Sequence, residues 1–341
     1  MKTRKKEILA AAVSVLLLLA ALALATRVLT PKRHDMGSTW GQFLQEKRNS
    51  TDLLFFGSSL AYCDVAPAAI WEESGLRSYV MAGAEQTIPI SYYYLREALR
   101  TQTPRAVFVE VTGVIYKRHT SFTKVNIGYM PWGENRLQAS LHETEDGLLP
   151  GLLFPLYFYH SRWNELTADD FRTGLLGYRA DDLVGYTCLH EYVPMEGPET
   201  RSYEPDEKNY NRNLNYLTKI ASLCRERGIQ AVFYLAPTVG QLPADVVDDL
   251  RAKVAGMDGA LFWDGNEDYD DLGIDPTRDY YDKFHFNVSG AEKFSRYLAD
   301  WTKRNLSLTP TGEDSALWQK RADALRTKAA EPLTRREEGK K

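Results

Sequence analysis

The residue types of nucleophilic acyl chemistry occur in two short stretches. The first is Gly57-Ser58-Ser59, directly after the apolar run Leu53 to Phe56. The second is Asp282-Lys283-Phe284-His285. A serine hydroxyl attacks a carbonyl only when a base takes its proton. An imidazole does this best when a carboxylate orients it. Asp282 and His285 stand three apart and can share one turn, so they offer carboxylate and base, with Ser59 as nucleophile. Each stretch also has a plain structural reading. Gly-Ser-Ser is a common turn, and an aspartate beside a histidine is often a surface pair. What favours chemistry is where the two stretches fall in the chain.

Leu53 to Phe56 is continuously apolar rather than alternating, as in a parallel strand covered on both faces. Gly57 lets the backbone turn tightly, and the next segment can open a helix. A serine there sits at the carboxyl end of a central strand, where open α/β sheets place ligands. Further strands are expected at Ser78 to Ala82, Ala106 to Val111, Gln230 to Leu235 and Gly259 to Trp263. Helices are expected at Pro67 to Ser74, Ile90 to Arg100, Asn209 to Arg227, Ala244 to Val254 and Ser289 to Asn305. Pro67 suits a first turn, Gly75 and Gly228 suit stops, and Ser289 with Glu292 reads as an N-cap. This alternation predicts an α/β fold: a three-layer α/β/α sandwich around a central parallel sheet. Residues 115–205 break the rhythm and are expected to form an insertion or lid of loops and short helices.

Lys2, Arg4, Lys5 and Lys6 precede the uncharged segment Ile8 to Ala25. Its length is near the roughly 20 residues a membrane-spanning helix needs. The basic cluster favours a cytoplasmic N-terminus. The predicted organisation is a cytoplasmic tail at 1–6, a transmembrane anchor at 7–27 and a linker at 28–50, with a helix near Trp40 to Lys47. A catalytic domain follows at 51–305, then a polar C-terminal tail at 306–341, with a helix around Leu317 to Thr327. The chain is thus read as a single-pass protein of the cell membrane with its main domain outside. A cleaved signal peptide is the alternative, since Ala21 to Ala25 suits a peptidase, but the apolar run is longer than a typical signal core.

Of 341 residues, 44% are apolar and 26% charged, as in an ordinary globular chain. A net charge of −4 implies no nucleic-acid partner. Cys63, Cys188 and Cys224 lack zinc-ligand spacing and are too few for a disulfide scaffold. Asp264 to Asp270 is acidic. It lacks the sixth-position glycine and twelfth-position glutamate of a calcium loop, where Asp275 stands, so a solvated loop is expected and no metal or cofactor.

With these residues in place, the sequence resembles the SGNH, or GDSL-like, hydrolases. Gly57-Ser58-Ser59 matches their first block, with serine where aspartate is common. Asp282-x-x-His285 matches the last block, followed by Gly290 before the final helix. Gly83, in Met81-Ala82-Gly83-Ala84-Glu85-Gln86, is the best match to the second block. The third block, Gly-x-Asn, is not found; Val109-Glu110-Val111-Thr112-Gly113 stands in its place. The anchor, the Gly-Ser-Ser and the long insertion are similar to one branch, which includes the D-alanyl-transfer protein of teichoic acid operons and the alginate acetylation proteins.

The resemblance implies a flavodoxin-like SGNH fold and acyl transfer through an acyl-Ser59 intermediate. It also implies an oxyanion hole from the Ser59 and Gly83 amides. The acceptor would be a cell-envelope polysaccharide or glycolipid, and the partner a multi-spanning membrane O-acyltransferase. The other readings are a carbohydrate or lipid esterase, and a non-catalytic glycan-binding accessory. Gln86 is a candidate pocket residue or an exposed loop amide. In His160-Ser161-Arg162-Trp163, Arg162 could meet an anionic glycan and Trp163 stack on a sugar; a packed aromatic loop is the alternative. Gly147 to Tyr159 is apolar enough to touch a bilayer or a partner, or to form a buried lid helix.

Overall fold

The five expected strands pair side by side in one parallel sheet. The computed structural model describes residues 2–32 and 39–336. In chain order the strands are β1 Leu53–Gly57, β2 Ser78–Ala82, β3 Ala106–Glu110, β4 Glu191–Tyr192, β5 Glu199–Thr200, β6 Gln230–Leu235, β7 Gly240–Gln241, β8 Ala260–Asp264 and β9 Thr334–Arg335. The central sheet runs β2-β1-β3-β6-β8, every pair parallel. The order reverses beside β1, so the crevice between β1 and β3 is the topological switch point of an open sheet.

The helices are α1 Lys2–Leu29, α2 Trp40–Phe43, α3 Ser59–Tyr62, α4 Pro67–Ser74, α5 Ile88–Ala98, α6 Thr120–Gly128 and α7 Glu134–His142. They continue as α8 Leu149–Leu153, α9 Leu156–Tyr159, α10 Ala168–Leu176, α11 Glu207–Glu226, α12 Ala244–Ala255, α13 Val288–Leu306 and α14 Ser315–Ala329. Each sheet face carries its own apolar cluster. Leu54, Phe56, Val107, Val109 and Phe233 join residues of α5, α11 and α12. Leu53, Phe55, Phe108 and Tyr234 join residues of α3, α4 and α13. Successive strand residues point to opposite faces, and burial on both explains the continuous apolar runs.

Gly75 and Gly228 end their helices with positive φ, as their positions suggest. The cap of α13 is Asn287 rather than Ser289. Its Oδ1 accepts the Ser289 and Gly290 amides at 3.0 and 3.3 Å, which starts the helix earlier.

The packed unit extends on both sides of 51–305. In the expected linker, Trp40 and Phe43 are buried, edge-on to Tyr94 and Tyr79 at 4.9 and 5.0 Å. In the expected polar tail, α14 buries Trp318, Ala322 and Leu325, a narrow stripe on an otherwise charged helix. Trp318 stacks on Trp71 at 6.3 Å, and buried Arg321 pairs with buried Glu46 at 2.6 Å. β9 pairs with β4. Met1, residues 33–38 of the linker and residues 337–341 of the tail lie outside the described residues.

α1 is long and apolar enough to cross a membrane, and residues 4–21 are exposed throughout. Residues 115–205 form short helices and loops together with the two-residue strands β4 and β5.

If α14 belongs to the folded unit, Trp318→Ala should cost about 3 kcal/mol. Chemical denaturation followed by circular dichroism would show a lower midpoint. An unchanged midpoint would mean that the carboxyl-terminal helix adds nothing to the core.

Candidate active site

β1 delivers Ser59. Gly57 leaves the strand at φ +147°, and a Cβ there would lie 2.7 Å from the Glu110 Cβ on neighbouring β3. Both the backbone angle and the close approach demand glycine. Ser58 then caps α3, its Oγ accepting the Leu60 amide at 3.4 Å. Ser59 is the first residue of that helix and half-buried, so its amide has no partner within the helix.

The histidine arrives on a tight loop closed by an antiparallel bridge between Tyr280 and Phe286. The Tyr281 amide donates to the His285 carbonyl at 2.9 Å. Gly290 lets the first turn of α13 approach this loop, since a Cβ there would fall 2.4 Å from the Asp279 carbonyl oxygen. The Ser59 hydroxyl donates to His285 Nε2 at 2.7 Å. Nδ1 donates to Asp282, with both carboxylate oxygens in range at 2.9 and 3.0 Å. Asp282 Oδ1 also accepts the Phe284 and His285 amides at 2.8 and 2.9 Å. Burial pushes the Asp282 carboxyl upward, but the imidazole and the two amides outweigh it and hold it below its ordinary value. An ionised Asp282 fixes the tautomer that leaves Nε2 free to accept a proton. The His285 side chain is 20% exposed, so a substrate can reach it.

Residues that the sequence did not single out surround this group. Asp64 is fully buried, and its Oδ1 accepts the Phe286 amide at 2.9 Å. Burial drives its carboxyl far above the ordinary range against that amide, helped by the nearby Asp282 and Glu110 charges. Glu110, at the end of β3, is also fully buried. It accepts the Thr112 amide at 2.9 Å through Oε1, while Oε2 has no hydrogen-bond partner. Arg201, set by the β5–β7 pairing, lies 4.4 Å over the Phe284 ring, and its charge acts on Glu110. A neutral buried carboxyl looks like any surface carboxyl in sequence. The one available signal was that β3 ends in glutamate after four apolar residues.

Of the expected oxyanion donors, Ser59 opens α3, where its amide has no partner within the helix. The Gly83 amide stands at the neighbouring strand end and donates to the Gly57 carbonyl at 3.4 Å. Asn126 of α6 donates to the Ala84 carbonyl at 3.0 Å and so holds the same turn from the insertion. Gln86 is buried rather than an exposed loop amide, with Nε2 donating to Ser91 Oγ at 3.0 Å. His160, Arg162 and Trp163 lie beside the anchor, where Arg162 donates to the Leu29 carbonyl and to Asp170. Trp163 and His160 are exposed there. Asp264 is buried rather than solvated, and its Oδ1 accepts the Asn266 amide at 3.0 Å. Among the described residues, no three His, Cys, Asp or Glu side chains are grouped to hold a metal ion. A separate surface cavity of about 620 Å³ between α11 and the end of α12 contains none of the triad.

No protein-family model matches the chain, and no curated protein matches it.

Burial raises the Glu110 carboxyl from 4.5 to about 7, against the Thr112 hydrogen bonds. Between those pH values the unfolded chain gives up a proton that the folded chain keeps. The stability from this residue is therefore full below about 4.5 and is lost as pH rises through 7, a difference of about 3 kcal/mol. Glu110→Gln keeps the acceptor for Thr112 and cannot ionise. Its denaturation midpoint should track that of the native chain at low pH and exceed it increasingly toward pH 8. A pH-independent gap between the two would contradict the assignment.

Proposed function

We propose that this protein is an SGNH-like serine O-acyltransferase, a three-layer α/β/α domain held outside the membrane by α1. The observation that carries the reading is the 2.7 Å contact between Ser59 Oγ and His285 Nε2, with Asp282 behind the ring. In the first step, Ser59 Oγ attacks an acyl carbonyl carbon and its proton passes to Nε2. The leaving oxygen takes that proton as the carbonyl reforms, leaving acyl-Ser59 and a free alcohol. In the second step, an acceptor hydroxyl gives its proton to Nε2 and attacks the ester carbon. Ser59 leaves as the hydroxyl, and the acyl group is on the acceptor. The Ser59 amide faces the developing oxyanion; Gly83 joins it once its amide is released from the Gly57 carbonyl.

A sugar hydroxyl as acceptor makes the protein a transferase of acetyl or D-alanyl groups to a cell-envelope polysaccharide or glycolipid, working beside a multi-spanning O-acyltransferase. Water as acceptor makes it an esterase. The placement at the membrane favours transfer, because an acyl donor system and an envelope polymer meet there. One observation favours a non-catalytic glycan-binding accessory: Val109 to Gly113 stands where the resembling family has its Gly-x-Asn block and contains no asparagine.

A fluorophosphonate probe is expected to label the native protein, and Ser59→Ala to abolish both labelling and at least about a thousandfold of acyl-ester turnover. Adding a polysaccharide acceptor should then divert acyl groups from water to sugar. Full turnover in Ser59→Ala would exclude the mechanism, and an unlabelled native protein would favour the accessory.

A further inference from the structure

We infer that residues 154–176 of the insertion form a lipid-contacting face, seated in the outer membrane–water interface around the exit of α1. The inference rests on α1 remaining as an uncleaved anchor.

The last two turns of α1 are not free. Leu22, Ala25, Thr26 and Leu29 are half-buried and Val28 is buried, whereas residues 4–21 are exposed. The covering elements are α9, the single turn His160–Asn164 and α10. The contact is close: a Cβ on Gly174 would lie 2.9 Å from Val28 Cγ2 and 3.3 Å from the Arg27 carbonyl oxygen. Arg162 donates to the Leu29 carbonyl at 2.8 Å and to Asp170 at 2.9 Å. Asp170 in turn completes the capping box with Thr167 that starts α10. The insertion is therefore fixed to the end of the anchor by close packing at Gly174 and by the hydrogen bond from Arg162, which Asp170 holds in place.

Depth follows from helix rise. The hydrocarbon core is about 30 Å thick, or about 20 residues of helix. Counted from Ile8, it ends near Arg27, so Leu22 and Ala25 lie in its outermost turns. Whatever covers those residues must reach the same depth. The face that these elements turn away from α1 suits that place. Phe154, Tyr157, Trp163, Phe171, Leu175 and Leu176 are all exposed, Trp163 at 72% and Leu176 at 80%. Phe171 and Leu175 stand four apart on one side of α10. Aromatic and leucine side chains beside a spanning helix are what the interfacial zone favours. In water they would form a costly apolar patch. A lipid surface covers them without any other protein.

The experiment uses the full chain in phosphatidylcholine–phosphatidylglycerol vesicles, with an environment-sensitive fluorophore on single introduced cysteines. Leu176→Cys and Phe171→Cys test the face. Leu16→Cys reports the anchor, and Asp258→Cys, just before β8 at the opposite sheet edge from β2, reports water; the unsubstituted chain gives the background from Cys188. Lipids carrying a nitroxide near the headgroup should remove most of the emission at positions 171 and 176, with a blue shift. A nitroxide deep in the acyl chain should do the same at position 16, and neither should affect position 258. Quenching at position 16 with positions 171 and 176 still open to aqueous iodide would overturn the inference and leave the face to a protein partner. Loss of quenching at position 16 as well would overturn the anchor itself.

Discussion

The hydrogen bond from the Phe286 amide to the buried Asp64 carboxyl holds the two halves of the site together. Ser59 and Asp64 belong to the segment that follows β1, whereas Phe286 is adjacent to His285. This buried contact helps set the distance between the imidazole and Ser59. A second bond, from the Ala66 amide to Ser295 Oγ at 2.8 Å, ties the start of α4 to α13. The Ser59–His285 contact, across 226 residues of sequence, is therefore not an isolated pairing of two mobile side chains. It is the last link between two surfaces already packed by Ile70, Ala291, Phe294 and Leu298. Closing a long loop costs little more than closing a short one, so most of that cost is met by the sheet and its helices.

Glycine does a different job at each side of this contact. At Gly57 it allows β1 to pass within van der Waals range of Glu110 and then turn. At Gly290 it allows α13 to begin against the Asp279 carbonyl. Remove either and the rim opens by about the width of a methyl group. A nucleophile and base need alignment on that scale, because a displacement of about 1 Å can cost a hundredfold in rate. The insertion contributes as well, through Asn126 on the Ala84 carbonyl and the β5–β7 pairing that sets Arg201.

The sheet was legible because β1, β2, β3 and β6 are buried on both faces and so read as continuous apolar runs. The grouping of Ser59 with Asp282 and His285 was legible because the first follows a strand end and the other two precede the last helix of the α/β pattern; the structure brings the three together. Asp64, Glu110 and Arg201 were not, since nothing local separates a carboxyl that will be buried and neutral from one that will be solvated. The helix α14 was expected, but its packing into the fold was hidden for a related reason. Its core stripe is only Trp318, Ala322 and Leu325, and the buried Arg321–Glu46 pair reads as surface charge until its partner on the other side of the fold is known. Arg162 and Trp163 attracted a glycan reading by type alone, yet the structure gives Arg162 the Leu29 carbonyl and Asp170 as partners.

Three carboxyl groups act on one another at this rim, and their environments separate them. Asp282 has two amides and an imidazole N–H and is held ionised. Asp64 has one amide, on Oδ1, and burial raises its carboxyl far above the ordinary range. Glu110 stands between these extremes, with one amide, the field of Arg201 and an orphaned oxygen. Had all three ionised, their mutual repulsion in a poorly solvated site would have raised Asp282 as well, and the imidazole would have lost the charge that fixes its tautomer. Burial raises the Asp64 carboxyl and so weighs against a second charge beside Asp282, while its Oδ1 still accepts the Phe286 amide. The two amides and the imidazole N–H keep Asp282 as the carboxylate that His285 faces.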